Sequence, residues 1–383
     1  MKIYCSLILS LIVHVLLAQK TIKRLDNSTI TTDDLTTSIA EIVEKSNIAG
    51  LSVVVMNDNE VVYTHCFGVK DKKTNAAIDQ NTIMYAASLT KPLFSYAFLK
   101  LVDKKIFELD KPLVQYLKNP IDSYPKWKDL AKERGVEKIT ARMLLSHSSG
   151  LPILRFLYGG DSLFLIAKPS EKFYYSNEGM NLLGFVVEEY TGQKLELLVK
   201  ELVFDPLNMS RSSMIWQTVF EENHALGYNK KGELMGAQKR ANARAAGSMV
   251  STSMDYAQFI KVIMEKKGLS DALMTQILTP QMAIKTLRGF GPSRDSITTK
   301  NDPIQLSWGL GWGLFNSNYG KAFFHAGNTD GWKNYCIAYP DKKMAVILIS
   351  NSDNVEPQFG KIINLAIKDT QSPLEWMGCY DNN

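Results

Sequence analysis

Ser88 and Lys91 stand three residues apart in Tyr85-Ala86-Ala87-Ser88-Leu89-Thr90-Lys91-Pro92-Leu93-Phe94. Ala97, Phe98, Leu101 and Val102 follow as apolar positions, so a helix is expected to open near Ser88. Residues three apart share a helical face. That puts the Ser88 hydroxyl at the helix N-terminus and the Lys91 amine one turn inside. A hydroxyl is a poor nucleophile until a neighbour takes its proton, and a desolvated lysine can do so. The helix N-terminus adds free N–H groups and partial positive charge where an oxyanion would form. The chemistry implied is acyl transfer through a serine. The same spacing recurs at Ser123-Tyr124-Pro125-Lys126, but Pro125 disfavours a helical Tyr124, so that pair does not share a face.

Two other segments carry groups suited to a site around Ser88. In Tyr174-Tyr175-Ser176-Asn177, just before a helical pattern, a tyrosine acts as a base only if nearby cations lower its pKa from about 10. Lys91 is such a cation. Asn177 offers an amide for a substrate carbonyl or for Lys91; its plainer reading is a helix N-cap beside packed tyrosines. In Phe324-His325-Ala326-Gly327-Asn328, a strand ending in small residues lets a substrate backbone come close. His325 there is a second titratable cation or, more plainly, a half-exposed strand residue.

Ser88-Leu89-Thr90-Lys91, Tyr175-Ser176-Asn177 and His325-Ala326-Gly327 resemble, in order and rough spacing, the three motifs of the serine β-lactamase and penicillin-binding-protein superfamily. The branch holding class C β-lactamases, D-Ala-D-Ala carboxypeptidases and related esterases is the most similar. Leu144 to Pro152, Ala246 to Thr252 and Leu310-Gly311-Trp312-Gly313 resemble it too, over roughly residues 35 to 365. The resemblance implies Ser88 as the acylated nucleophile, assisted by Lys91, and Tyr175 as the base that activates Ser88 and later the deacylating water. Asn177 would orient substrate or Lys91, and His325 and Gly327 would line the cleft. The backbone N–H groups of Ser88 and Asn328 would form the oxyanion hole. The third motif of β-lactamases and carboxypeptidases usually begins with lysine. Histidine at 325, as in the esterase and aminopeptidase-like members, argues against fixed carboxylate recognition.

The elements that must position these groups are legible in pattern. Thr32 to Lys45 reads as an amphipathic helix with Leu35, Ile39, Ile42 and Val43 on one stripe. Gly50 to Met56 and Val61 to Phe67 read as a hairpin about Asn57-Asp58-Asn59-Glu60. From about Phe107 to His224 the pattern is mostly helical, with helices starting at Leu109, Thr140 and Glu178. Another helix runs from Met254 to Met264. Ser307–Gly313, Ala322–Gly327, Trp332–Tyr339 and Met344–Ser350 read as strands, and a helix from Val355 to Lys368 closes the chain. The expectation is an α+β, β-lactamase/transpeptidase-like fold: an antiparallel sheet flanked by helices, plus an inserted helical domain. The α/β part would comprise 19–105 and 225–383, and the helical part 106–224, with the site at their seam.

Composition sets the outer bounds. The chain has 383 residues, 45% hydrophobic and 22% charged, with 44 basic against 39 acidic side chains and a net charge of +5. That is ordinary for a globular protein, and the excess is too small and scattered for nucleic acid. Lys2, the apolar run Ile3–Leu17 and Ala18 read as a secretory signal peptide over 1–18, with a retained membrane anchor as the other reading. The expected location is secreted or periplasmic. With Cys5 in the leader, Cys66, Cys336 and Cys379 remain, an odd number best read as buried small hydrophobes. The five histidines show no metal-ligand spacing, and no metal or cofactor is expected. The implied partner is a small-molecule or peptide substrate, peptidoglycan fragments being one candidate. Within enzymes the alternative is a true β-lactamase or a D-Ala-D-Ala carboxypeptidase. Outside them it is a binding protein that kept the fold and lost turnover.

Overall fold

Gly50–Asn57 and Met344–Ser350 are buried along their whole length, so the sheet they form needs cover on both faces. Side chains alternate across a strand, and the cover divides accordingly. Val54, Met56, Ile347 and Ile349 join one apolar cluster with Leu89, Leu93 and Phe94. Val53, Val55, Val346 and Leu348 join a second, with Leu35, Ile39, Phe359 and Ile362. The computed structural model describes residues 20–379, except the side chain of Pro292. The expected leader at 1–18, with Cys5, lies outside the described residues.

The sheet has nine strands, antiparallel at every pairing, in the spatial order Met282–Ala283, Ser307–Trp308, Gly313–Ser317, Gly320–Thr329, Trp332–Tyr339, Met344–Ser350, Gly50–Asn57, Glu60–Asp71 and Ala76–Ala77. The N-terminal hairpin thus docks on the last strand, with Leu348 opposite Val53. Asp58 and Asn59 turn that hairpin with φ of 53° and 64°, the positive pair that a two-residue turn between right-twisted strands requires. Helices Thr32–Lys45 and Phe359–Ile367 cover one face. Thr90–Asp103 and Ser253–Met264 cover the other.

The structure departs from the sequence pattern in several places. The helix expected from Leu109 is only a 3-10 turn, Leu113–Tyr116, after Pro112. Much of 106–170 is such turns, because Pro112, Pro120, Pro125, Pro152 and Pro169 interrupt any longer helical ladder. The expected strand Ser307–Gly313 stops at Trp308, and a second begins at Gly313. Gly311, at φ 92°, donates its N–H to the Leu145 carbonyl instead of to a neighbouring strand. The closing helix begins later than expected: Asp353–Gln358, containing Pro357, is a 3-10 turn, and the α-helix starts at Phe359. Asn177 is not the N-cap of its helix. Ser176 is, accepting from the Gly179 N–H at 2.8 Å.

The site is positioned where the Gly320–Thr329 strand crosses the 3-10 turn Ala87–Leu89 that leads into Thr90–Asp103. A Cβ on Gly327 would fall 2.3 Å from the Ala86 carbonyl oxygen. Only glycine allows that approach. Gly327→Ala is therefore expected to push the strand off the Ser88 turn and lose roughly 1–3 kcal/mol of stability, with a larger proportional loss of activity. Urea unfolding alongside turnover checks this; wild-type values for both would refute it.

Candidate active site

Lys91 is fully buried in the first turn of the helix Thr90–Asp103, just after the 3-10 turn that holds Ser88. Its Nζ lies 2.8 Å from Ser88 Oγ and donates to the Ala246 carbonyl at 2.6 Å. No carboxylate accompanies it there, and burial pushes its pKa well below the ordinary lysine range. That shift is toward the free-base form, the one that can accept the Ser88 proton. Ser123 and Lys126 are not so paired. Ser123 Oγ donates to the Pro120 carbonyl, and Lys126 lies over the Trp127 ring.

The turn that presents Ser88 is tied down from both sides. Ala87 has a positive φ of 48°, uncommon for a residue with a Cβ and held only where the surroundings dictate it. Thr90 Oγ1 donates to the Ala87 carbonyl at 2.6 Å and accepts from the N–H groups of Ser248 and Met249 at 3.3 and 3.1 Å. Asn181 Oδ1 accepts from the Ala246 N–H at 3.1 Å, fixing the carbonyl that holds Lys91. Asn334 Nδ2 donates to the Tyr85 carbonyl at 3.0 Å. Thr90, Asn181 and Ala246 had no assigned role in the sequence, because backbone carbonyl acceptors leave no composition signal.

Tyr175 reaches the same cluster, with its ring 4.8 Å from Lys91 Nζ. Burial is the largest influence on its phenol and pushes the pKa up, opposed only by hydrogen bonding with Ser88. The condition set for a tyrosinate, a cation lowering its pKa, is thus not met: burial outweighs the one hydrogen bond that favours the anion. Asn177 opens the following helix, and its Oδ1 is buried without a hydrogen-bond partner.

His325 is neither half-exposed nor a second cation. It is buried, its ring 5.4 Å from Trp308 and 6.2 Å from Tyr175. Nδ1 faces the Ala326 carbonyl at 2.7 Å and so carries the proton, leaving Nε2 as a buried acceptor without a partner. Burial first, then the charge of Lys91, push its pKa down to about 3. Gly327 lies against Ala86. Asn328 pairs with Lys333 across the strands, and its side chain donates to Glu356 at 2.6 Å. His147 joins the group without having been singled out. Its ring is 4.4 Å from that of Tyr175, and Nδ1 accepts the Ser176 N–H at 3.1 Å. It lies in Leu144 to Pro152, whose resemblance to the same branch was the visible signal for it. Among the described residues no cluster of side chains could hold a metal ion, and no helix is long and apolar enough to cross a membrane.

Comparison with known proteins puts this geometry in context. The family model described as Beta-lactamase matches residues 35–368. "Protein flp" of Staphylococcus aureus strain COL is 23% identical over 338 residues, 82% of this chain and 62% of that protein. "Unguisins hydrolase ungD" of Aspergillus violaceofuscus is 22% identical over 358 residues, 85% of this chain and 62% of that one. The chain thus spans under two thirds of the length of these curated relatives. Among solved structures, the octameric penicillin-binding protein homologue of Pyrococcus abyssi is similar at TM-score 0.71 and 24% identity, covering 88% of this chain and 77% of that one. The D-alanine carboxypeptidase AmpC of Burkholderia cenocepacia gives 0.67 and 16%, covering 86% and 97%. A class C beta-lactamase gives 0.69 and 19%, covering 89% and 96%. These structural likenesses establish the β-lactamase/transpeptidase-like fold.

The buried histidine has a consequence for stability. Above the ordinary histidine value of 6.5, His325 is neutral folded or unfolded and costs nothing. Below it the unfolded chain takes up a proton that folded His325 refuses until about 3. Stability should therefore fall with pH through that window, by up to about 1.4 kcal/mol per pH unit. His147, also pushed down by burial, adds in the same direction. Urea titrations between neutral pH and the lower end of the window should show a shallower fall for His325→Gln than for wild type. Equal slopes would mean the ring is protonated in the folded state.

Proposed function

The chain belongs to the Beta-lactamase family, and on that premise we propose that it is a serine hydrolase that cleaves an ester, amide or peptide bond through an acyl-enzyme on Ser88. The observation that carries this reading is the 2.8 Å contact between Ser88 Oγ and the buried Lys91, whose pKa burial pushes down. In the proposed sequence Lys91 accepts the Ser88 proton as Oγ attacks the substrate carbonyl. The backbone N–H groups of Ser88 and Asn328 receive the oxyanion. Tyr175, held neutral by burial, gives its phenolic proton to the leaving group, and the Lys91 ammonium restores it. Water then attacks the acyl-enzyme, with the regenerated amine taking its proton and passing it to Ser88 Oγ as the acid leaves. Asn177 and the edge at Gly327 hold the substrate. The reading sets the enzyme outside the cytoplasm on the Lys2–Ala18 pattern alone.

A true β-lactamase or D-Ala-D-Ala carboxypeptidase is the weaker alternative. Those substrates present a carboxylate close to the scissile bond, and His325 is uncharged at neutral pH. Simple esters are accordingly expected to exceed penicillins and cephalosporins in kcat/KM. A cephalosporin turned over faster than a p-nitrophenyl ester would reverse the ranking.

The covalent step is tested with a fluorophosphonate and intact mass. One adduct is expected on the wild type and on Ser123→Ala, and none on Ser88→Ala; an adduct on Ser88→Ala would move the nucleophile elsewhere. Tyr175→Phe should lower kcat by at least about 10²-fold, the ordinary scale of proton transfer by a positioned group. Lys91→Met should abolish labelling yet keep or raise the thermal midpoint, because it removes a buried amine whose charge the interior opposes. A large loss of stability in that variant would show Lys91 to be mainly structural.

A further inference from the structure

Beside the catalytic cluster, and sharing Tyr175 with it, lies a cavity of about 490 Å³, within the range of small-molecule sites. Its walls are rich in flat π surfaces: Tyr158, Phe173, Tyr174, Tyr175 and Phe290, with the Arg294 guanidinium at one side. Phe290 meets Tyr175 edge-on at 5.0 Å, and the Arg294 guanidinium lies 5.0 Å over the Tyr158 ring. Neither Ser88 nor Lys91 lines this space, so it is not where the bond is broken. It adjoins that place through Tyr175.

We propose that this cavity is a subsite for an aromatic ring carried by the substrate. The proposal rests on the hydrolase reading and narrows its substrate class to aryl-bearing esters, amides or peptides. The physical ground is the kind of surface as well as its size. An aliphatic group of equal volume gains only from leaving water, which an aromatic ring gains too. The ring adds edge-to-face contacts with the surrounding aromatics and a stacking face for Arg294, each worth a few-fold in binding. Arg294 is held there by Asp295, 3.6 Å away, and by the Tyr158 ring, which fixes its plane on the wall.

The test uses pairs of substrates matched in shape but not in aromaticity, ethyl phenylacetate against ethyl cyclohexylacetate and benzyl acetate against cyclohexylmethyl acetate, so that both sides of the ester are probed. The expected result is at least about a fivefold advantage in kcat/KM for the aryl member of one pair. That advantage should shrink at least about twofold in Arg294→Met and in Phe290→Leu, while the cyclohexyl member changes little. No aryl preference in either pair, or one untouched by both substitutions, would overturn the subsite and leave the hydrolase reading intact. Binding to Ser88→Ala gives an independent reading without turnover. Phenylacetamide should shift NMR signals around the cavity at lower concentration than cyclohexylacetamide, and equal affinities would overturn the proposal even if the protein hydrolyses nothing.

Discussion

Taking the Lys91 amine out of water is the constraint on which the rest of the structure depends. A charged ammonium in an apolar interior is costly, and a buried lysine relieves that cost by giving up its proton. The helix Thr90–Asp103 is buried at most of its positions, so the backbone cannot move to let the amine reach water. The protein supplies one carbonyl, Ala246, and one hydroxyl, Ser88, and no carboxylate. A carboxylate would have stabilised the ammonium and removed the base. Stability is thus given up at the residue that needs to react.

A base of this kind is useful only if the hydroxyl stays where the lone pair is. The turn at Ala87–Leu89 is held by groups from three distant parts of the chain. Thr90 meets the N–H groups of residues 248 and 249, Asn334 reaches the Tyr85 carbonyl, and Gly327 closes on the Ala86 carbonyl. None of these touches the reacting oxygen. Together they allow Ala87 to keep a left-handed backbone that a free chain would leave. The nine-stranded sheet makes this possible, because strand Gly320–Thr329 is held by Gly313–Ser317 along its first half and by Trp332–Tyr339 along its second.

What could be read in the sequence divides along physical lines. The strands 332–339 and 344–350 and the helix 32–45 were legible residue for residue, since their apolar periods are strong and their ends carry turn or cap residues. The helical middle was over-read: its apolar residues are placed well enough to fill a core, but its prolines break the ladders, and periodicity alone does not see hydrogen bonds that fail to form. Ser88 and Lys91 were legible as a pair because a helix fixes their separation. The ionisation of Tyr175 and His325 was not, because it depends on how much protein surrounds them. That is a property of packing across strands and helices far apart in sequence. His325 reads as a cation by its type and is uncharged by its surroundings.

These ionisations form one consistent set. Lys91 and His325 repel each other when both carry charge, and the Lys91 charge lowers further a His325 pKa that burial has already lowered. A lysine at 325 starts from a far higher pKa than histidine, so the same burial leaves it more often charged at neutral pH. Histidine with its Nδ1 proton fixed on the Ala326 carbonyl does the opposite, leaving a neutral ring and an acceptor at Nε2. With Tyr175 neutral as well and the Lys91 pKa pushed down by burial, the resting site carries little standing charge. Charge then appears chiefly as the reaction proceeds, first on Lys91 and the oxyanion together. A pair of opposite charges created in a low-dielectric site attracts strongly, whereas a standing cation would instead favour a bound anion in the ground state. Binding that is equally strong before and at the transition state does not raise kcat, so the neutral strand residue directs the site's electrostatics toward the step and away from the substrate's own charge.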